Sequence, residues 1–232
     1  QADFAKNSDL AFSVDKMNFA TSVPLSDVLD FKDAGINYQR VNVGLAEKGK
    51  SDLSDRLLYE GEQEVAEDRM YWKGSDIAEF FIAETTKRWV RVSTIRTLSA
   101  NERVILNEKY FAKKPKLIWR QTAQFPIAAI DTKGIWFGRS VQAGMITKEY
   151  EKSVNYEYLV GLMNSSLFRW LYLDKVKEGG RVFPQVKLAK LKDLPVIIPS
   201  SEQLKLVCSL VDRLSSIPWD QRNLGTGSQY VE

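Results

Sequence analysis

Between Pro115 and Val141 the chain runs PKLIWRQTAQFPIAAIDTKGIWFGRSV, β-branched and aromatic runs divided by the tetrapeptide Asp131-Thr132-Lys133-Gly134. Such runs favour strands, and an Asp- and Gly-containing tetrapeptide between them favours a turn. The middle of the chain is thereby committed to β-structure: a strand carrying Trp119-Arg120-Gln121, then a hairpin turning at Asp131–Gly134. Arg120 and Gln121 are residue types that fork onto guanine and adenine edges, and the indole of Trp119 can stack beside them. The same residues also suit an ordinary sheet, with Trp119 in a core and Arg120 paired to a carboxylate.

Around this segment the elements are short. Residues 24–33 read as a helix with Ser26 as N-cap and Gly35 as the stop, and residues 36–43 (INYQRVNV) alternate as a strand that includes Arg40. Residues 46–55 read as a charged loop. Strand candidates follow at 56–59, 69–72 and 87–94, with KGSDI and Phe80-Phe81 between the last two. Ser99-Ala100-Asn101-Glu102 has the form of a capping box and predicts a helix to about Tyr110.

Residues 156–173 place apolar side chains at steps of three and four, a strong helix interrupted in character by Asn164-Ser165-Ser166, which reads as packing or capping within the helical part. After Gly179-Gly180, RVFPQVKL reads as extended, and the prolines of LPVIIP hold that stretch out of helix. A second capping box, Ser200 to Gln203, opens a final amphipathic helix. Short strands and helices without a βαβ rhythm predict an α+β fold. The expected organisation is an arm or linker at 1–23, a β-rich part at 24–150, a helical part at 151–217 and a tail at 218–232.

Composition excludes more than it suggests. The 232 residues contain no histidine and one cysteine, which removes Ser-His and Cys-His hydrolases, histidine-containing zinc sites, zinc ribbons and iron–sulfur sites. Cys208 lies in an apolar helical pattern and reads as core; without a disulfide the chain suits a reducing cytoplasm. No apolar run approaches the roughly 20 residues that span a bilayer, and no signal peptide is evident. The start at Gln1 rather than Met is expected of a piece of a longer protein.

The net charge of +3 conceals a strong asymmetry. Residues 47–84 carry eleven acidic against five basic side chains, whereas residues 87–120 carry ten basic against two acidic, and residues 169–192 seven against two. If the two basic stretches share a face, they form a phosphate-binding surface; if the acidic segment neutralises them, they are solvated faces. Catalytic constellations are missing. None of the seven prolines is adjacent to another, so the Asn/Asp-Pro-Pro-aromatic loop that grips a flipped base is absent. Gly225-Thr226-Gly227 has no strand–turn–helix context, and Asp131-Thr132-Lys133 reads as a turn rather than half of a metal site. No cofactor is expected on this chain.

The ordered set GINYQRVNVGLAE, RMYWKGSDIAEF, PKLIWRQTA with its hairpin, YLVGLMNSSLFRWLY and RVFPQVKLAKLKDLPVIIP resembles the TaqI-like C-terminal specificity domain, the target-recognition domain of adenine-N6 DNA methyltransferases and of fused restriction–modification enzymes. The resemblance runs from Pro24 to Leu214, and the family's usual Leu-Asn-Ser stands here as Met163-Asn164-Ser165. It implies a module that reads duplex DNA while a separate catalytic domain, upstream or in another chain and bound to S-adenosylmethionine, methylates adenine.

On that reading the base-reading candidates are Arg40, Arg120, Gln121 and Arg139, and the phosphate candidates are Lys73, Arg91, Arg96, Lys116, Arg181 and Lys187. Trp119, Trp136 and Trp170 are assigned to cores. Two alternatives remain: a protein–protein docking module of a specificity subunit, resting on the apolar helices, and a small enzyme using only carboxylates and lysines.

Overall fold

A computed structural model describes residues 22–42, 52–176 and 184–217. In chain order the elements are β1 (Ser22–Pro24), α1 (Leu25–Val28), β2 (Leu29–Lys32), β3 (Asn37–Arg40), α2 (Leu53–Leu57), β4 (Leu58–Glu60), β5 (Arg69–Trp72), β6 (Ile77–Ala78), β7 (Phe81–Ile82), β8 (Arg88–Val90), α3 (Val92–Arg96), β9 (Glu102–Ile105), α4 (Glu108–Phe111), β10 (Lys116–Arg120), β11 (Ala128–Asp131), β12 (Trp136–Phe137), β13 (Val141–Ile146), α5 (Tyr156–Met163), α6 (Ser166–Val176), α7 (Leu188–Lys192), β14 (Pro195–Ile197) and α8 (Ser201–Ser215). The fold is α+β.

The central sheet has the order β11-β10-β13-β2, all pairs antiparallel. Its middle strand is buried on both faces: Lys116, Leu117, Ile118 and Trp119 are all fully buried. Alternation along the strand sends Leu117 and Trp119 into one core with the helices α5 and α6, and Ile118 into a second core with Tyr71, Trp72, Val90 and Phe137 of the other four-stranded sheet, β12-β5-β8-β4. A strand of this kind reads as a continuous apolar run because neither face meets water. The three two-stranded ribbons are β1-β14, β3-β9 and β6-β7.

The tetrapeptide at Asp131 is a turn, but it does not close the expected hairpin. The hairpin partner of β10 is β11, joined through residues 121–127. Beyond the turn, β12 leaves the central sheet and pairs in parallel with β5. The cause lies in Asp131. Its Oδ1 accepts from the backbone N–H of Lys133 (2.9 Å) and Gly134 (2.8 Å), and its Oδ2 from that of Ile135 (3.1 Å), which turns the chain sharply. Gly134, at φ +79°, then passes so close to the Phe111 carbonyl that a Cβ would lie 2.9 Å from it. Trp136 and Phe137 come to rest against the Phe111 ring.

Oδ2 of Asp131 also meets Lys116 Nζ at 2.5 Å, with both side chains wholly buried. The remaining Lys116 protons go to the carbonyls of Phe111 and Lys113, each at 3.0 Å. Lys116 and Asp131 are directly opposite in the β10–β11 register. Lys116 is therefore corrected from a phosphate candidate to the buried anchor of the central sheet, since its ammonium has no route to solvent.

Other expectations shift for similar reasons. The 24–33 helix is four residues long, and Pro24 precedes it without a side-chain cap from Ser26. Residues 29–32 pair instead with β13, where Gly144 lets Leu29 sit against the strand; a Cβ there would lie 2.7 Å from the Leu29 side chain. Glu102 does accept from the Ser99 backbone at 3.0 Å, yet the residues after it form β9, paired with β3, because tertiary pairing of Glu102–Ile105 overrides a local cap. The helix begins only at Asn107, whose side chain caps it. Residues 53–57 form α2 where the end of a loop and the start of a strand were expected, the strand beginning only at Leu58, and the rest of that loop lies largely outside the described residues.

The long helix divides at Asn164-Ser165 into α5 and α6. Ser165 Oγ accepts from Phe168 N (3.1 Å) to cap the second half. The buried Asn164 amide bonds both ways with Ala128 of β11, accepting from its N–H and donating to its carbonyl, each at 2.9 Å. Asn164 thus joins the helices to the central sheet instead of packing within the helical part. The LPVIIP stretch is extended as expected and pairs as β14 with β1, and the Ser200–Gln203 capping box is formed in full.

Two stability predictions follow from these contacts. Lys116→Met leaves a buried carboxylate without its counter-ion and should cost about 3–5 kcal/mol, read from urea unfolding monitored by Trp fluorescence. Asn164→Leu strands two buried backbone groups of Ala128 and should cost about 2–4 kcal/mol in the same assay; a loss below about 0.5 kcal/mol would mean that neither contact is structural.

Candidate nucleic-acid interface

Three backbone segments meet where β10 ends and β13 begins, and glycine makes the meeting possible. A Cβ on Gly35 would lie 2.5 Å from the Gly138 carbonyl oxygen, one on Gly138 would lie 1.9 Å from Tyr71 Oη, and one on Gly74 would lie 2.9 Å from the Ser140 carbonyl oxygen. The segments are then stitched together: Ile36 N–H donates to Phe137 O (2.8 Å), Gly138 N–H to Trp72 O (3.3 Å) and Gly74 N–H to Ser140 Oγ (2.9 Å).

The side chains raised by these segments line a cleft of about 370 Å³ formed by Ile36, Asn37, Tyr38, Tyr71, Lys73, Arg139 and Ser140. Lys73 and Arg139 are exposed, and among the described residues neither side chain makes an ion pair. Tyr71 forms the wall beneath Gly138. Burial pushes its hydroxyl up to about 12, with Tyr38 adding to the shift and Arg88 opposing it. The tyrosine therefore stays a neutral donor and acceptor at any ordinary pH.

The structure brings several predicted residues to this end of the molecule. Arg40 lies two residues beyond Tyr38 on β3, on the same face of the strand. Gln121 donates its backbone N–H to Ser140 O at 2.9 Å and receives Gln142 Nε2 on its side-chain oxygen at 3.3 Å. Arg120 is half-buried, with Nε donating to Ile77 O at 2.5 Å. Burial pulls its guanidinium below the ordinary arginine value, and the carboxylates of Asp76 and Glu79 oppose that shift. The segment leading to Lys187 runs alongside, through Val186 N–H to Gln121 O at 2.8 Å and a Thr122–Gln185 bridge. Arg181 lies outside the described residues.

Other candidates are spent on the acidic segment. Arg91 forks onto both carboxylate oxygens of Glu64 at 2.7 Å, with its guanidinium carbon 4.4 Å from the centre of the Tyr59 ring. Arg96 pairs with Glu67 at 2.9 Å, and Arg88 with Asp76. An incoming phosphate would have to displace a carboxylate from each. Arg91 and Arg96 are therefore engaged by carboxylates within the fold, with which a phosphate would have to compete. Asp131 is wholly buried and fully bonded, so the Asp131-x-Lys133 spacing belongs to a turn.

The polar cleft residues Asn37, Tyr38, Tyr71 and Ser140 were missed. The available signal was the set of isolated glycines at 35, 74 and 138 beside strand-like runs, which marks close backbone approach.

Residues 69–196 match the family model of the TaqI-like C-terminal specificity domain. The chain belongs to this family. The matched part of the specificity domain includes Tyr71, Lys73, Arg139 and Ser140, while the β3 side of the cleft precedes it. Among solved structures, one titled for the complex assembly and conformational transition of the type I R-M system is similar at a TM-score of 0.43 and 12% identity, over 83% of this chain. The chain spans 37% of the length of that protein chain. No curated protein matches. No helix among the described residues is long and apolar enough to cross a membrane.

The glycine contacts are testable directly. Gly138→Ala drives a methyl group into Tyr71 Oη and should destabilise the specificity domain by about 2–4 kcal/mol in urea unfolding. Combining it with Tyr71→Phe should recover only part of that loss, because the ring carbon behind the hydroxyl is itself 2.8 Å from the added atom.

Proposed function

We propose that this specificity domain reads a short duplex DNA sequence for an adenine-N6 methyltransferase of a restriction–modification system, with methyl transfer carried out on a separate catalytic domain that binds S-adenosylmethionine. The observation that carries this reading is the cleft itself. It gathers Lys73 and Arg139, exposed and outside the internal ion-pair network of the described residues, with Asn37 and Tyr38 between them. Arg supplies the fork for guanine O6 and N7, Asn the pair for adenine N6 and N7, and Lys a point charge for phosphate. Arg40, Arg120 and Gln121 border the same end as further base readers, and Lys187 as a further phosphate contact. Arg120 has one donor already committed to Ile77, which restricts it to the two terminal nitrogens.

A docking role for the helical side is favoured by a different observation, the exposed leucines of α8. It is compatible with DNA reading because the two surfaces use different elements.

Anisotropy titrations against a randomised duplex library, repeated at several salt concentrations, test the reading. Binding should weaken steeply with salt. Lys73→Ala should weaken all duplexes alike and reduce the salt slope by about 1, whereas Arg139→Ala should cost about 1–3 kcal/mol and relax preference at one position. Arg96→Ala should change little. Binding that is absent or indifferent to salt would sink the proposal.

A further inference from the structure

The two-stranded ribbon β3-β9 has unlike faces. Its register sets Asn37 opposite Ile105, Tyr38 opposite Val104 and Gln39 opposite Arg103, and directly opposed residues of an antiparallel pair point to the same side. One face is occupied by the fold. Tyr38 and Val104 pack against the core that holds Tyr71 and Phe137, Tyr38 Oη lies 3.3 Å from Ser54 Oγ of α2, and Glu102 is paired with Arg56. The other face carries Asn37, Gln39, Arg103 and Ile105. Gln39, Arg103 and Ile105 are exposed, and Asn37 is half-buried. Among the described residues, the side chains of Asn37, Gln39 and Arg103 make no hydrogen bond or ion pair.

The chemistry and the spacing of this face select what covers it. Amide side chains fork onto adenine N6 and N7, a guanidinium onto guanine O6 and N7, and an apolar side chain packs on the thymine methyl; all of these edges lie in the major groove, whose width of about 12 Å admits a two-stranded ribbon. Residues i and i+2 of a strand are about 7 Å apart, close to two base-pair steps of about 3.4 Å each. Asn37 and Gln39 therefore meet bases two steps apart, with Arg103 across from Gln39 at about 5 Å. The ribbon is held at both ends: Val41 N–H donates to Asn101 O (2.7 Å) and Ile36 N–H to Phe137 O (2.8 Å). Because Asn37 also lines the cleft with Lys73 and Arg139, the free face of the ribbon continues into the cleft and its two cations.

We propose that the free face of the β3-β9 ribbon enters the major groove, with Gln39 and Arg103 as specificity-determining residues: Gln39 on an adenine edge, Arg103 on a guanine edge, and Ile105 against a thymine methyl. The inference rests on the reading of this chain as a duplex-DNA-binding domain, and adds to it the element that enters the groove and two base readers outside the cleft.

Anisotropy titrations of the whole chain test this, against the duplex it selects from a randomised library and against the same duplex with 7-deazaguanine at each guanine in turn. Arg103→Ala should weaken binding about tenfold and relax preference at one guanine, at a position other than the one that Arg139→Ala relaxes. At that guanine 7-deazaguanine, which lacks the N7 acceptor, should weaken binding by the unsubstituted chain and leave binding by Arg103→Ala unchanged. Gln39→Ala should relax preference at an adenine. Both side chains are exposed, so the unfolding midpoint should be kept in each variant. A loss that is equal across all duplexes makes Arg103 a phosphate contact and overturns the proposal. Salt-dependent binding whose preference, or lack of one, is the same in the unsubstituted chain and both variants overturns the role of the ribbon and leaves DNA binding standing, whereas the absence of salt-dependent binding overturns both.

Discussion

The buried pair of Lys116 and Asp131 is the contact on which the rest of the molecule depends. It sits at the point where one strand enters the central sheet and the neighbouring strand leaves it. Every donor of the ammonium is satisfied, and the carboxylate accepts four hydrogen bonds, three of them from the backbone of the turn. Two charges taken out of water demand such complete pairing, and a half-satisfied arrangement would be worse than an apolar one. The pair consequently determines the register of β10 on β11, the sharp exit of the chain toward β12, and the division of the interior into two cores on either side of one sheet.

That division gives the molecule its working end. Because β10 is buried on both faces, its side chains up to Trp119 are consumed by packing, and only Arg120 and Gln121 reach the edge. There the glycines at 35, 74 and 138 let three backbones approach within hydrogen-bonding distance. Bulky side chains at those positions would have held the segments apart and left no shared cleft. The acidic segment serves a complementary purpose. By pairing with Arg88, Arg91 and Arg96 it engages three of the cations of the basic stretch within the fold.

Much of the fold was legible in the sequence. The strand at β10, the cap at Ser200, the extended LPVIIP stretch and the α+β class are local consequences of residue type, and each is present. What failed were elements whose local signal was weaker than a distant partner. Ser99 to Glu102 has the side chains of a helix cap and makes one of its bonds, yet β3 draws the following residues into a strand. The helix from Tyr156 keeps its period but breaks at Asn164, because the edge of β11 offers that amide a better pair of partners than another turn would.

By itself, the amino-acid sequence determined the α+β class, the absence of histidine and disulfide chemistry, the opposed acidic and basic blocks, and the family resemblance. These depend on neighbours within a few residues or on composition alone. Only the tertiary structure decided which cations are available. Lys116 and Lys73 are the same residue type, yet one is sealed beneath a turn and the other stands at the rim of a cleft. That difference arises from contacts between residues 15 to more than 60 positions apart, Lys116 with Asp131 and Gly74 with Ser140, and local pattern carries no information about pairs at that separation.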